Sequence, residues 1–192
     1  MSAKKRATPI DIYQIKVTLR YSKPPIWRRI QVPADVSLAR LHRILQVVMG
    51  WEDYHLHQFI VDDEYYGEPH PDYEVWGPEM RDERRAELGR LVPEEGLKFL
   101  YEYDFGDGWE HELLVEKILL SEPGVGYPRC LKGKRACPPE DVGGVWGYDG
   151  FLEVIRDPDH PEHEGLLEWV GGEFDPEAFD LDDVNAELES MR

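Results

Sequence analysis

The densest run of polar chemistry in the chain is Asp104-Phe105-Gly106-Asp107-Gly108-Trp109-Glu110-His111, which sets two aspartates and an imidazole within one short segment. Two further segments carry compatible donors. His55 and His57 have a His-x-His spacing, which supplies two ligands to one metal when both project from the same strand face. Cys137-Pro138-Pro139-Glu140-Asp141 adds a thiol and two carboxylates in a proline-stiffened loop. Convergence of the three would offer nitrogen, oxygen and sulfur donors to a divalent metal such as zinc, and a metal there would activate water for hydrolysis. The metal-ligand pool is therefore His55, His57, Asp104, Asp107, His111 and Cys137. A metal-free pocket for a small molecule or partner segment would draw on Asp104, Asp107, His111, Glu140, Asp141 and Arg28. The same residues also have purely structural uses. Asp104 and Asp107 suit capping of turn amides, His111 suits a bond to a backbone carbonyl, and Glu140 and Asp141 suit the positive end of a helix.

The elements that must position these residues follow from periodicity. From Ile10, Tyr13, Ile15, Val17, Leu19 and Tyr21 alternate with Gln14, Lys16, Thr18 and Arg20, which predicts a half-buried strand. Residues 26–32 read as its antiparallel partner, and Arg28 shares the face of Ile26, Ile30 and Val32. A guanidinium so placed requires a carboxylate or carbonyl partner. Ser37 is a good N-cap for a helix built on Leu38, Leu41, His42, Leu45, Val48 and Met49, and Gly50 stops it. Residues 54–62 return as a strand with His55, His57, Phe59 and Val61 on one face. Residues 97–103 and 109–120 form a β-hairpin around the acidic turn. Residues 63–95 and 121–146 read as irregular. Helices follow at about 148–156, 161–170 and 181–189, the last capped by Asp180. The order predicts an α+β fold: an antiparallel or mixed sheet starting ββαβ in a β-grasp-like way, a further hairpin, helices packed on one side and a helical C-terminal part. Residues 1–9 read as a flexible basic tail and 10–192 as a single domain.

Composition narrows the function. The 192 residues carry 22 Lys+Arg against 40 Asp+Glu, a formal charge of −18, with 41% apolar residues and two cysteines. Nearly all the acid lies beyond residue 50. Such a chain is repelled by nucleic acid unless a local patch overcomes the field. The candidate patches are Arg20, Lys23, Arg28 and Arg29, and the short run Arg129, Lys132, Lys134 and Arg135, with Arg20, Arg28 and Arg29 carrying the nucleic-acid reading. No apolar run is long enough for a membrane span. The basic start lacks the apolar core of a secretory signal, and two cysteines do not make a disulfide scaffold, so a cytoplasmic location is expected. Phosphate loops, dinucleotide fingerprints and nucleophile elbows are absent. His111-Glu112-Leu113-Leu114-Val115 lacks the second histidine of the zinc-protease motif and falls in a strand pattern.

A set of motifs runs through the chain: Pro25-Ile26-Trp27-Arg28-Arg29, Leu41-His42 through Gly50-Trp51, His55-Leu56-His57-Gln58-Phe59, Tyr103 through His111, Cys137-Pro138-Pro139-Glu140-Asp141-Val142-Gly143-Gly144, Gly147-Tyr148 and Phe174-Asp175-Pro176. Together they resemble the plasmid pRiA open-reading-frame-three-like family over about residues 10–189. The resemblance implies an α+β domain associated with plasmids and mobile elements, with no established enzymatic activity or catalytic residues. Some relatives bear a resolvase-like label, but no nucleophilic serine in an arginine-rich setting supports that chemistry. The expectation is an accessory or binding protein with a polar site near the Asp104–His111 hairpin. The alternatives are a metal-dependent hydrolase and a nucleic-acid-binding protein.

Overall fold

The structure, a computed structural model, describes residues 11–69 and 79–192. The expected N-terminal tail, and the middle of the 63–95 segment, lie outside the described residues. β1 (Asp11–Leu19) and β2 (Trp27–Pro33) form the first antiparallel pair, with Ile15 opposite Ile30. The alternation read from the sequence is physical: Tyr13, Ile15, Val17 and Leu19 are all at most 3% exposed. α1 (Leu38–Met49) begins where the Ser37 side chain accepts from the Arg40 amide, and it ends at Gly50, whose φ of 100° closes the helix.

β3 (His57–Val61) follows, then β4 (Glu64–Gly67) and β5 (Met80–Asp82). β6 (Lys98–Tyr103) and β7 (Trp109–Leu120) make the hairpin, with Tyr101 opposite His111. β8 (Arg129–Lys134) completes an eight-stranded sheet in the order β5-β4-β3-β6-β7-β1-β2-β8. All pairs are antiparallel except β4–β5, which makes the sheet mixed.

Two segments read as irregular contain structure. Residues 63–95 hold β4, β5, a 3₁₀ turn at Glu83–Arg85 and the single-turn α2 (Leu88–Leu91). Residues 121–146 hold β8, an edge strand in which only Cys130 is buried. With the other positions taken by arginine, lysine, glycine and one half-buried leucine, Leu131, β8 carries almost no hydrophobic alternation, and its pairing with β2 defines it. The expected helices are present as α3 (Gly144–Arg156), α4 (His163–Trp169) and α5 (Leu181–Ser190), with Asp180 accepting from the Asp182 and Asp183 amides.

One sheet face carries the core. Leu41, Leu45 and Val48 of α1, Phe151 and Leu152 of α3 and Leu188 of α5 join the inward strand residues in a single buried cluster. The opposite face is laced with ion pairs, among them Arg20–Glu110, Arg29–Glu116 and Lys98–Glu112. The acidic hairpin tip, the chain entering β3 and the loop before α3 meet at one end of the sheet.

Candidate functional site: a histidine ringed by carboxylates

His55 sits in the bend just before β3. Its Nε2 lies 3.2 Å from Asp141 Oδ1, 3.7 Å from Asp104 Oδ2 and 3.7 Å from Glu140 Oε2. Among the described residues, neither this buried Nε2 nor the buried Glu140 Oε2 has a hydrogen-bond partner. Two buried polar atoms left bare in one place carry a desolvation cost of about 1–3 kcal/mol each. Donor atoms held at about 2.1 Å from a zinc-sized ion in tetrahedral geometry stand about 3.4 Å apart. The three separations bracket that spacing, and the donor atoms of His55, Asp104 and Asp141 all fall within 4.8 Å of one another. One imidazole with three carboxylates suits oxygen-preferring ions that also accept nitrogen, such as Mn²⁺, Fe²⁺ and Zn²⁺.

Each contributing segment is fixed by the fold. The Asp104 amide donates to Leu56 O at 2.9 Å, which staples the hairpin tip to the His55 loop. Asp104 Oδ1 accepts from the Gly106 amide, so the turn-capping reading and the site reading apply to different oxygens of one carboxylate. Glu140 Oε1 accepts from Tyr103 Oη at 3.1 Å and from the Glu52 amide at 3.0 Å, which leaves Oε2 aimed at His55. Burial, and next the Glu140 charge, raise the Tyr103 phenol well above its ordinary range, so it stays a proton donor. Trp51 Nε1 holds Pro138 O at 3.2 Å. Asp104 and Asp141 both have left-handed backbones, with φ of 55° and 57°, a conformation aspartate tolerates but that must be held by its surroundings.

The other sequence candidates lie elsewhere. Asp107 turns away from His55 and accepts from the Gly143 amide at 3.0 Å, clamping the loop that carries Glu140 and Asp141. His111 is fully buried between Trp51 and Tyr101, with Nδ1 at 3.2 Å from Tyr101 O. It is therefore a core histidine bonded to a carbonyl and unable to reach the acidic group. Burial raises the Cys137 thiol well above its ordinary range, and Cys137 stands outside both donor clusters. Arg28 is buried and finds carbonyls only: Nε donates to Val48 O at 2.6 Å and Nη1 to Trp27 O and Lys134 O, while Phe179 stacks on the guanidinium at 4.2 Å. It faces neither a ligand site nor a nucleic acid. Arg29 is held bidentately by Glu116, and Arg20 pairs with Glu110, which leaves no free basic patch on these three residues.

His57 does not join His55 on one metal. It belongs to a second cluster with His42 and Asp53, and its Nε2 meets Glu83 Oε2 at 2.8 Å. His42 lies in a closed ring of hydrogen bonds that the sequence did not announce. Gln46 Nε2 donates to Tyr101 Oη at 2.9 Å, Tyr101 Oη meets His42 Nδ1 at 2.8 Å, His42 Nε2 meets Asp53 Oδ1 at 2.8 Å, and the Asp53 amide returns to Gln46 Oε1 at 2.9 Å. Burial foremost, and then the facing His57, lower the His42 pKa to about 4. A neutral imidazole donating to Asp53 and accepting from Tyr101 fits that ring. The His42 and His57 rings are parallel, so no single ion can lie in both ring planes, and every ring nitrogen named here already has a partner. The second cluster is a structural network, and the group around His55 is the one with bare donors. The parity of β6 contained a signal for Tyr103, which pairs with His57 across the ladder and faces inward with Tyr101.

The fold and this arrangement define an α+β protein with a mixed eight-stranded sheet and a one-imidazole, three-carboxylate centre at its end. The chain belongs to the family described as plasmid pRiA4b ORF-3-like protein, whose pattern it matches over residues 11–183. It is 41% identical to "Uncharacterized protein y4hQ" of Sinorhizobium fredii over 185 residues, which covers 94% of this chain and 92% of that protein. The crystal structure of the protein of unknown function MM3350 from Methanosarcina mazei Go1 superposes with a TM-score of 0.81. Its sequence is 42% identical, and the match covers 92% of this chain and 98% of that one.

Proposed function

We propose that this plasmid-associated family member is a divalent-metal-binding domain, with His55, Asp104, Glu140 and Asp141 holding the ion and the ion holding a polar ligand. The observation that carries the reading is the pair of buried, unpartnered atoms, His55 Nε2 and Glu140 Oε2, facing each other at 3.7 Å. Three carboxylates around one imidazole repel one another, and a cation at their centre relieves the repulsion and supplies both bare atoms with a partner. The Asp141 side chain is 69% exposed, so the site opens toward solvent on that side, where a ligand oxygen or a water can complete the ion's shell. That opening also supports a hydrolase as the second reading, since a water on a metal is a nucleophile near neutral pH. Among the described residues no helix is long and apolar enough to cross a membrane. The pairing of Arg20 and Arg29 with glutamates weighs against nucleic acid as the ligand.

The test is direct. Chelator-stripped protein is titrated calorimetrically with Zn²⁺, Mn²⁺ and Mg²⁺, alongside elemental analysis of protein purified without chelator. The expected result is stoichiometric binding of at least one of these ions, abolished in His55→Ala and Glu140→Gln. Protein that takes up none of them, with no thermal shift at millimolar metal, overturns the reading.

A further inference from the structure

Beyond the metal centre, we infer that the groove between α3 and α4 is a docking site for a basic amphipathic polypeptide segment. The groove has a volume of about 530 Å³. Phe151, Val154, Leu166 and Trp169 give it apolar walls, and Asp141 and Glu162 put a carboxylate among its lining residues at two separate points. Trp169 stands edge-on to Phe151 at 6.0 Å and stays 49% exposed. On α3 the groove is bare of side chains at Gly150, where an added Cβ would meet nothing within 4 Å. A helix that presents an unfilled notch and a half-exposed tryptophan beside it has apolar surface with no partner among the described residues.

Charge selects the occupant. Among the described residues, no lysine or arginine lines the groove. The two helices that form it expose Asp149, Glu153, Glu164 and Glu168 against a single exposed cation, Arg156. The whole chain carries −18. An acidic partner would be repelled from this surface, and an uncharged one would leave its carboxylates unused. A segment with apolar residues at helical spacing, flanked by lysine or arginine, fills the notch with its apolar side and pairs a cation with Glu162, while Trp169 offers a ring face to a cation. Trp146, 87% exposed in the first turn of α3, extends the aromatic surface along the same helix.

The probe is a fluorescein-labelled amphipathic peptide with leucines on one helical face and lysines elsewhere, measured by anisotropy in the presence of chelator, so that the outcome is independent of the metal centre. The controls are the same peptide with its leucines scattered around the helix, and its glutamate counterpart. Gly150→Leu fills the notch at a position with open space, and Glu162→Lys reverses one rim charge on the surface. Circular dichroism and melting temperature establish that both variants are folded. The expected result is saturable binding that weakens about tenfold in each variant, about 1.4 kcal/mol at equilibrium, and that neither control peptide reproduces. Binding unchanged in both folded variants, equal binding of the scattered peptide, or no binding of the leucine–lysine peptide at low salt each overturns the proposal. None of these outcomes bears on the metal reading, whose readout is metal uptake.

Discussion

The imidazoles of His42 and His57 lie face to face, with ring centroids 3.4 Å apart and planes within 3° of parallel. Two charged imidazoles do not tolerate that contact, and burial already holds His42 down to about 4. His111, enclosed in the core, is also lowered to about 4, with burial the main cause. An ordinary histidine titrates near 6.5 in an unfolded chain. A folded-state value below the unfolded one favours the native state only while the ring is neutral. Both contributions are therefore complete above pH 6.5 and are lost as the pH falls toward 4. Denaturant titrations between pH 7 and 4 should record a loss on the order of 3 kcal/mol for His111 alone. His111→Phe should flatten that part of the profile while costing about 1 kcal/mol at pH 7 for the bond to Tyr101 O. An unchanged pH profile in this variant would remove His111 from the account.

Arg28 makes a second prediction. Its guanidinium donates to three backbone carbonyls, of Val48, Trp27 and Lys134, and the Phe179 ring covers it. Arg28→Ala should cost about 3–5 kcal/mol, measured by urea unfolding, because it removes the donors and opens a cavity. Arg28→Lys should recover only part of the loss, since an ammonium cannot present the planar fork. If Arg28 served nucleic acid instead, the substitution would spare stability and abolish a gel shift. With Arg20 and Arg29 held by glutamates, no shift of duplex DNA is expected even at low salt.

These cases show what in the fold was legible. The inward placement of Arg28, and its need for carbonyls or carboxylates, followed from a strict two-residue period. The start of α1 at Ser37 and its stop at Gly50 followed from cap chemistry. β8 was not legible because its partner β2 supplies the order that its own charged residues do not signal. At the site, sequence proximity misled. His55 and His57 are two residues apart, yet β3 begins only at His57, and Glu83 from a distant 3₁₀ turn claims the second ring. Asp104 reaches His55 because its left-handed backbone redirects the chain at the hairpin tip, a local conformation that no periodicity encodes.

Glu140→Gln separates a metal centre from a structural cluster by a change of sign. Glutamine keeps an oxygen for Tyr103 Oη and the Glu52 amide, so the loop remains anchored. Without metal, removing one of three mutually repelling charges should leave the melting temperature unchanged or raise it by a few degrees, about 1 kcal/mol. With saturating Zn²⁺ or Mn²⁺ the order should reverse, because a ligand present at a hundredfold over its dissociation constant adds about 2.7 kcal/mol to the native state and the variant forfeits most of it. A variant less stable than the parent by the same amount in chelator and in metal would mark Glu140 as structural.

The last prediction concerns a residue that touches no ligand. Gly144 has φ of 69°, and a Cβ there would stand 2.4 Å from Asp107 O, so the loop bearing Glu140 and Asp141 rests directly on the hairpin tip that bears Asp104. Asp107 secures the same contact through the Gly143 amide. Gly144→Ala must separate the two segments and should cost about 2 kcal/mol of stability through backbone strain and displacement. Asp107→Ala keeps the close packing but releases the clamp, and should cost about 1 kcal/mol. If the carboxylates of Asp104 and Asp141 act on one ion, both substitutions lower metal affinity although every donor is retained, with Gly144→Ala the larger effect. Asp107→Asn, whose side-chain oxygen still accepts from Gly143, should restore affinity. Calorimetric titration of the three variants with one metal decides the matter: equal affinities across the series would mean that the hairpin tip and the α3 loop do not share an ion, whatever their distance.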